Sequence, residues 1–263
     1  MTTLEAILLG IVQGLTEFLP VSSSGHIELG KAILGTDAQN DLFFTLLVHT
    51  ATVLSIIIVF RKDIWELFRN IFSFQWNEGN QYIFKLILSM IPIGILGVLF
   101  KEQLEIFFEG NILLVGAMLI CTGFILLLST LERKDSGKVG FLQAVIIGLA
   151  QAVAVLPGIS RSGSTIATAL ALGVSRENAA RFSFLMVLVP ILGATLLELR
   201  HWNEITQNSS ETIPLIAGFI AAFISGLAAC TWMLQIVKKG KITYFSIYCF
   251  IVGAIAVGLG LWG

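Results

Sequence analysis

Two short stretches of the chain carry residue types that chemistry needs. The first runs Gln13-Gly-Leu-Thr-Glu17-Phe-Leu-Pro-Val-Ser-Ser-Ser-Gly-His26. Gln13 and Glu17 are four apart and share one helix face, and Pro20 must end that helix, so Glu17 points into the break that follows. Ser22, Ser23 and Ser24 are candidate N-caps of a returning helix, whose free backbone N–H groups form a ready anion site. His26 lies three residues past Ser23. A hydroxyl, an imidazole and a carboxylate in one short segment are the ingredients of a nucleophile, a general acid or base, and a metal or orienting ligand. The second stretch, Pro157-Gly-Ile-Ser-Arg-Ser-Gly-Ser-Thr165, supplies the guanidinium that the first lacks. Arg161 sits amid Ser160, Ser162, Ser164 and Thr165 at the start of another returning helix, and its planar fork suits phosphate bidentately. Together the two stretches look built to hold a phosphate.

The scaffold that must position them is a membrane one. Of 263 residues, 56% are hydrophobic and only 13% charged, far more apolar than an ordinary soluble domain. A net charge of -1 gives no sign of a nucleic-acid partner. Cys121, Cys230 and Cys249 lie within apolar runs and lack metal-ligand spacing, so they read as small packing residues. No basic residue precedes Lys31, so the N-terminus lacks the positive region of a cleavable signal and is expected to stay in the mature protein.

A spanning helix needs ~20 mostly apolar residues, and six runs qualify: about Leu42–Phe60, Tyr82–Phe100, Ile112–Leu131, Phe182–Leu199, Ile213–Val237 and Ile242–Trp262. Two further apolar stretches, Leu4–Gly35 and Phe141–Gly173, are broken by the Pro- and Ser-containing segments. Irregular backbone at membrane depth is tolerated only where protein or a water-filled cavity covers it, so each reads as a re-entrant hairpin. Eight full spans is the alternative, but it needs helices interrupted by three serines or by Arg161 to cross intact.

Sliding the sequence on itself by 137 or 138 residues aligns Gly10 with Gly148, Gln13 with Gln151, Pro20 with Pro157, Ser23 with Ser160 and Gly35 with Gly173. The expected fold is therefore an all-α polytopic membrane protein forming one membrane domain. It is an inverted repeat, about 1–131 and about 140–263, with six transmembrane helices plus two re-entrant helical hairpins. An odd number of crossings per repeat forces the inversion. Arg61, Lys62, Arg69, Arg133, Lys134, Lys138, Arg176, Arg181, Lys238, Lys239 and Lys241 fall on one side, against Lys31, Lys101 and Arg200 on the other. The basic side is cytoplasmic by the positive-inside rule, which turns both termini and the mouth of the first hairpin outward.

Structural readings compete for several residues. Membrane helices use Ser, Gly and Pro freely for packing and kinks, but intramembrane ions cost at least ~2.5 kcal/mol each on insertion scales. Glu17, His26 and Arg161 thus weigh against a purely structural reading. Gln13 suits an interhelical hydrogen bond as well as a ligand role, and His49 reads as a satisfied interior histidine. Glu198 and Lys85 fall at span ends and are given no role. Pro92 and Pro190 read as kinks, and Pro214 suits a helix's first turn.

The two quoted stretches resemble the signature motifs of the bacterial undecaprenyl-diphosphate phosphatases of the bacitracin-resistance type, a likeness that covers essentially the full length. The resemblance implies hydrolysis of the terminal phosphate of a polyprenyl diphosphate lipid at the outer face of the bacterial cytoplasmic membrane. This would return the monophosphate carrier to wall synthesis. It also implies a divalent cation, Mg2+ or Ca2+. The family's motif positions fall on Gln13 and Glu17 as metal ligands, on Ser23 and His26, and on Ser160, Arg161 and Thr165, with Ser162 and Ser22 as further phosphate-binding candidates. Ser23 or His26 would attack, the other relaying protons. Assembly as a homodimer stays open. The rival class is a transporter or lipid flippase, which also uses inverted repeats with broken helices.

Overall fold

The computed structural model describes residues 1–34, 42–73, 75–100, 111–131, 137–198 and 212–262. Gly35, Lys101, Arg133, Lys134, Leu199, Arg200 and the side chain of Glu198 lie outside the described residues. Among the described residues there is no strand, only an isolated bridge between Gly137 and Val174.

Helix α1 (Thr3–Phe18) opens with a capping box in which Thr2 and Glu5 exchange backbone and side-chain hydrogen bonds. It stops at Phe18 because Leu19, preceding Pro20, is held extended at φ -70° and ψ 144°. The chain returns as α2 (Ser23–Leu34). Helix α3 (Leu42–Val59) follows, then α4 (Arg61–Ile71) and α5 (Glu78–Leu99), which runs through Pro92 without ending. Helix α6 (Ile112–Leu127) tightens into a 3-10 turn over Leu128–Leu131.

The second half begins with another helix, break and return, α7 (Phe141–Val153) and α8 (Arg161–Ala171). The predicted span Phe182–Leu199 is not one helix: α9 (Arg176–Met186) and α10 (Leu188–Glu198) meet at Val187. Pro190 stands four residues after Met186, whose carbonyl its ring would meet in a continuous helix. Helices α11 (Thr212–Lys238) and α12 (Thr243–Trp262) complete the described chain.

Helices α5, α11 and α12 are each long and apolar enough to cross a membrane, and α3 with α4 adds a fourth candidate bent by 78°. Their exposed faces confirm what surrounds them. Ile87, Ile91 and Ile95 on α5, Ile216, Ile220 and Ile224 on α11, and Ile247, Ile251 and Ile255 on α12 are all exposed. Stripes spaced one helical turn would be a liability in water and suit lipid. The protein is a multi-pass membrane protein. Helix α4 has no buried residue and exposes Trp65 and Phe68, followed by Phe72, while its other positions hold Arg61, Lys62, Asp63, Glu66 and Arg69, the pattern of a helix lying in the bilayer interface.

Lipid tails are as apolar as leucine, so helices in a bilayer associate by close packing. Helix α1 packs along α11, α7 along α5, and α6 along α12. At each contact a glycine lets backbones meet. A Cβ on Gly10 would lie 2.4 Å from the Gly218 carbonyl oxygen, and one on Gly148 2.4 Å from that of Ser89. Gly116 and Gly253 face each other, a Cβ on either meeting the other's carbonyl oxygen at 2.9 and 2.8 Å.

Gly14→Ala should therefore lower the melting temperature in detergent. Its Cβ would stand 2.5 Å from the Ala222 carbonyl oxygen and 2.7 Å from the Gly226 nitrogen, an overpacking worth ~1–3 kcal/mol. Gly94→Ala, with nothing within 4 Å of the added carbon, should be neutral or stabilising by up to ~1 kcal/mol. Equal losses in both would contradict this account of the packing.

Candidate active site

The two broken segments meet. A Cβ on Gly25 would come within 3.1 Å of the Gly158 Cα, and the Ser162 hydroxyl donates to the Leu19 carbonyl at 3.2 Å. Each return helix is capped by a serine. Ser22 Oγ accepts from the Gly25 N–H at 3.3 Å, and Ser160 Oγ from the Gly163 N–H at 3.1 Å. Capping thus places Ser22, rather than Ser23, opposite Ser160, and sets Ser23 opposite Arg161. Ser22 takes φ +68°, alone among the described non-glycine residues, a strained conformation of the kind found at functional sites. The strain belongs to the turn that presents Ser23. Thr122 of α6 stitches the second break, donating to the Gly158 carbonyl at 2.8 Å and accepting from the Ser160 N–H at 2.9 Å.

Ser23 and Arg161 converge on one carboxylate. Glu17 is 5% exposed. Its Oε1 pairs with the Arg161 guanidinium. Its Oε2 accepts from Ser23 Oγ at 2.8 Å and from Gln13 Nε2 at 3.0 Å. His49 of α3 brings Nε2 to 3.8 Å from the same Oε2, while its Nδ1–H donates to the Thr45 carbonyl at 2.8 Å. That leaves Nε2 facing Glu17.

Glu17, Ser23, Arg161 and His49 stand on the wall of a cavity of about 430 Å³. Of the site candidates singled out from sequence, Glu17, Ser22, Ser23, Ser24, Ser160, Arg161 and Ser162 line it. Gln13, His26 and Thr165 do not. Gln13 is fully buried behind Glu17. Thr165 turns its hydroxyl to the Arg161 carbonyl at 2.9 Å and to Ser183. His26 stacks on Tyr248 of α12 with ring centroids 5.6 Å apart. Its Nδ1–H donates to the Ser22 carbonyl at 2.8 Å, and its Nε2 accepts the Tyr248 hydroxyl at 2.7 Å. Sequence reasoning gave no role to His49 or Gln151, both of which line the cavity. Gln151 had a signal in its alignment with Gln13, whereas His49 had none, because its place depends on how α3 is rotated.

The donor set suits a hard cation. Gln13 Oε1 is a buried acceptor without a hydrogen-bond partner, next to the Glu17 carboxylate. Among the described residues no three His, Cys, Asp or Glu side chains cluster as a complete cage. Mg2+ asks for no such cage, since one or two carboxylates plus substrate phosphates commonly hold it.

In this multi-pass membrane protein a guanidinium, two capped helix N-termini and a serine hydroxyl stand around one cavity, groups that can receive an anion. The family model for bacitracin resistance protein BacA matches residues 6–255, and the chain belongs to that family. Among its relatives is an undecaprenyl-diphosphatase of Christiangramia forsetii, 53% identical over 98% of both chains. Proteins of the same name from Bacteroides fragilis, 49% identical over 96% of both chains, and Parabacteroides distasonis, 48% identical over 99% of both, are similar along their whole lengths.

Arg161→Met leaves the buried Glu17 without its counter-charge and should cost ~3–5 kcal/mol in detergent unfolding. Glu17→Gln/Arg161→Met should recover a large part of that loss. A double variant as unstable as the single one would show that the pairing does not govern stability here.

Proposed function

We propose that this protein is a membrane undecaprenyl-diphosphatase. It hydrolyses undecaprenyl diphosphate to the monophosphate and inorganic phosphate, recycling the lipid carrier for cell-wall synthesis and so conferring bacitracin resistance. The observation that carries this reading is the convergence of Ser23 and Arg161, from two separate breaks, on Glu17 at the cavity wall. One N–H of the Arg161 fork goes to Glu17, which leaves other donors for the diphosphate. The cavity wall also carries Ile27, Leu46, Ile93 and Ile191, an apolar lining that suits the lipid end of the substrate while Arg161 and the N-terminus of α8 take its head.

Ser23 is the nucleophile in this reading. Its Oγ forms the bond to the terminal phosphorus as the anhydride P–O bond breaks, and the lipid monophosphate leaves. The Ser23 proton passes to Glu17 Oε2, to which it is already hydrogen-bonded. His49 Nε2, beside the same oxygen, is placed to take it onward. Water then cleaves the phosphoserine. Arg161 and the N-terminus of α8 stabilise charge on the transferred group. His26 has its Nε2 engaged by Tyr248 and supports the turn that carries Ser23. Glu17 and Gln13 would hold a divalent cation, Mg2+ or Ca2+, which would neutralise charge on the phosphoryl oxygens.

The finer topology follows the same reading: six spans, two re-entrant hairpins and an inverted repeat of about 1–131 and 140–263 in the cytoplasmic membrane. The face-to-face glycines Gly116 and Gly253, 137 positions apart, support the repeat. Ion pairs tie separate segments together, Lys138 to Glu78 of α5, Arg181 of α9 to Asp63 of α4 and Lys238 of α11 to Glu177 of α9, which supports grouping these basic residues on one face. The cavity uses Thr45 and His49 near the start of α3, Ile93 towards the end of α5 and Thr195 on α10. These are the helix ends away from the basic residues, which supports a site opening outward.

Phosphate release from undecaprenyl diphosphate in detergent tests the activity. Wild type should release phosphate, and Ser23→Ala and Arg161→Ala should each lose at least ~100-fold in kcat/KM. His26→Ala should lose less than Ser23→Ala, and chelator should lower the wild-type rate. A folded wild type inert with every divalent metal would turn the reading to carriage of the lipid. Sidedness is read from cysteines placed at Glu5 and Lys138 in a cysteine-free background: a membrane-impermeant thiol reagent should reach only Glu5→Cys in intact cells.

A further inference from the structure

Gln151 stands near the end of α7, is 1% exposed, and lines the cavity. Neither its Oε1 nor its Nε2 has a hydrogen-bond partner. A buried primary amide unmatched at both ends is costly, and native proteins rarely keep one without a use. Its counterpart in the first half, Gln13, donates Nε2 to Glu17 four residues on. Four residues on from Gln151 stands Val155, which has nothing to accept, so the Gln151 donors are free for a ligand.

The rest of the second break narrows what that ligand is. Ser160 Oγ accepts the capping N–H of α8 and turns its own proton to Ser162 Oγ at 3.3 Å, Ser162 Oγ donates to the Leu19 carbonyl, and Thr165 turns to Ser183. On this wall Arg161 and Gln151 are therefore the side chains with donors to offer, beside the N-terminus of an 11-residue helix. A guanidinium and a helix N-terminus favour an anion. We infer that Gln151 is a substrate-binding residue whose Nε2 donates to a non-bridging oxygen of the lipid diphosphate held by Arg161. This rests on the phosphatase reading and deepens it. A neutral donor with no hydrogen bond to Ser23 or Glu17 serves binding rather than the chemical step, so its loss appears in KM.

Gln151→Met keeps the side chain's length and removes both orphaned atoms. The ligand-free variant should melt in detergent at or above the wild-type temperature, while the stabilising shift produced by inorganic pyrophosphate shrinks. With undecaprenyl diphosphate, KM should rise about tenfold, the scale of one hydrogen bond to a charged group, with kcat within about threefold of wild type. Gln151→Glu, which sets a like charge against the diphosphate, should raise KM further. A Gln151→Met protein with unchanged KM and an unchanged pyrophosphate shift overturns the inference. So does one that melts lower with the shift intact, since the amide is then structural, and so does a loss confined to kcat. If wild type releases no phosphate, the phosphatase reading fails by itself, and the pyrophosphate shift still decides whether Gln151 binds an anion.

Discussion

A carboxylate buried among apolar helices has to be answered by donors, and the arrangement around Glu17 follows from that requirement. Helix α1 supplies one answer itself, Gln13, a turn earlier on the same face. The others require the chain to turn back, bringing Ser23, and a second broken segment to arrive from the other half, bringing Arg161. Removing two charges from water costs several kcal/mol per ion even after relaxation. The pair therefore stands only because neutral donors satisfy the other carboxylate oxygen and because Arg161 keeps one side on the cavity. The stability of the two breaks and the readiness of the site to bind an anion are thus one property.

That meeting is paid for by small residues. Backbone oxygens approach glycines at Gly10, Gly14, Gly116, Gly148 and Gly253, and the two breaks touch through Gly25 and Gly158. Hydroxyls between helices, such as Ser55 donating to the Phe223 carbonyl and Thr122 in the second break, satisfy polar backbone that no water reaches. The isoleucine stripes outside play no part in this packing; they set what the protein dissolves in.

What the sequence made legible was local. Pro20 and Pro157 announce breaks because proline acts on its own turn, and the serines after them cap returns because capping spans three residues. Gln13 and Glu17 share a face by helical period alone. The features that stayed hidden depend on neighbours. His49 reaches Glu17 only through the rotation of α3, and His26 is drawn from the cavity by Tyr248, 222 positions away. Pro190 reads as a kink in sequence, but its effect falls upstream at Val187, where the predicted span divides. Alignment of letters pairs Ser23 with Ser160, whereas the capping bonds put Ser22 there, because capping follows the turn and not the letters.

The contact of Gly25 with Gly158 has an evolutionary consequence. Neither the segment around Glu17 nor the one around Arg161 holds a complete site, and each lines the space the other needs. The two stretches must drift together: a larger residue at either glycine, or a lost charge at Glu17 or Arg161, calls for a matched change more than a hundred positions away. Selection on this chain therefore acts on pairs, and a recombinant that joins the front of one relative to the back of another will keep a working site only where both parents solved that meeting the same way.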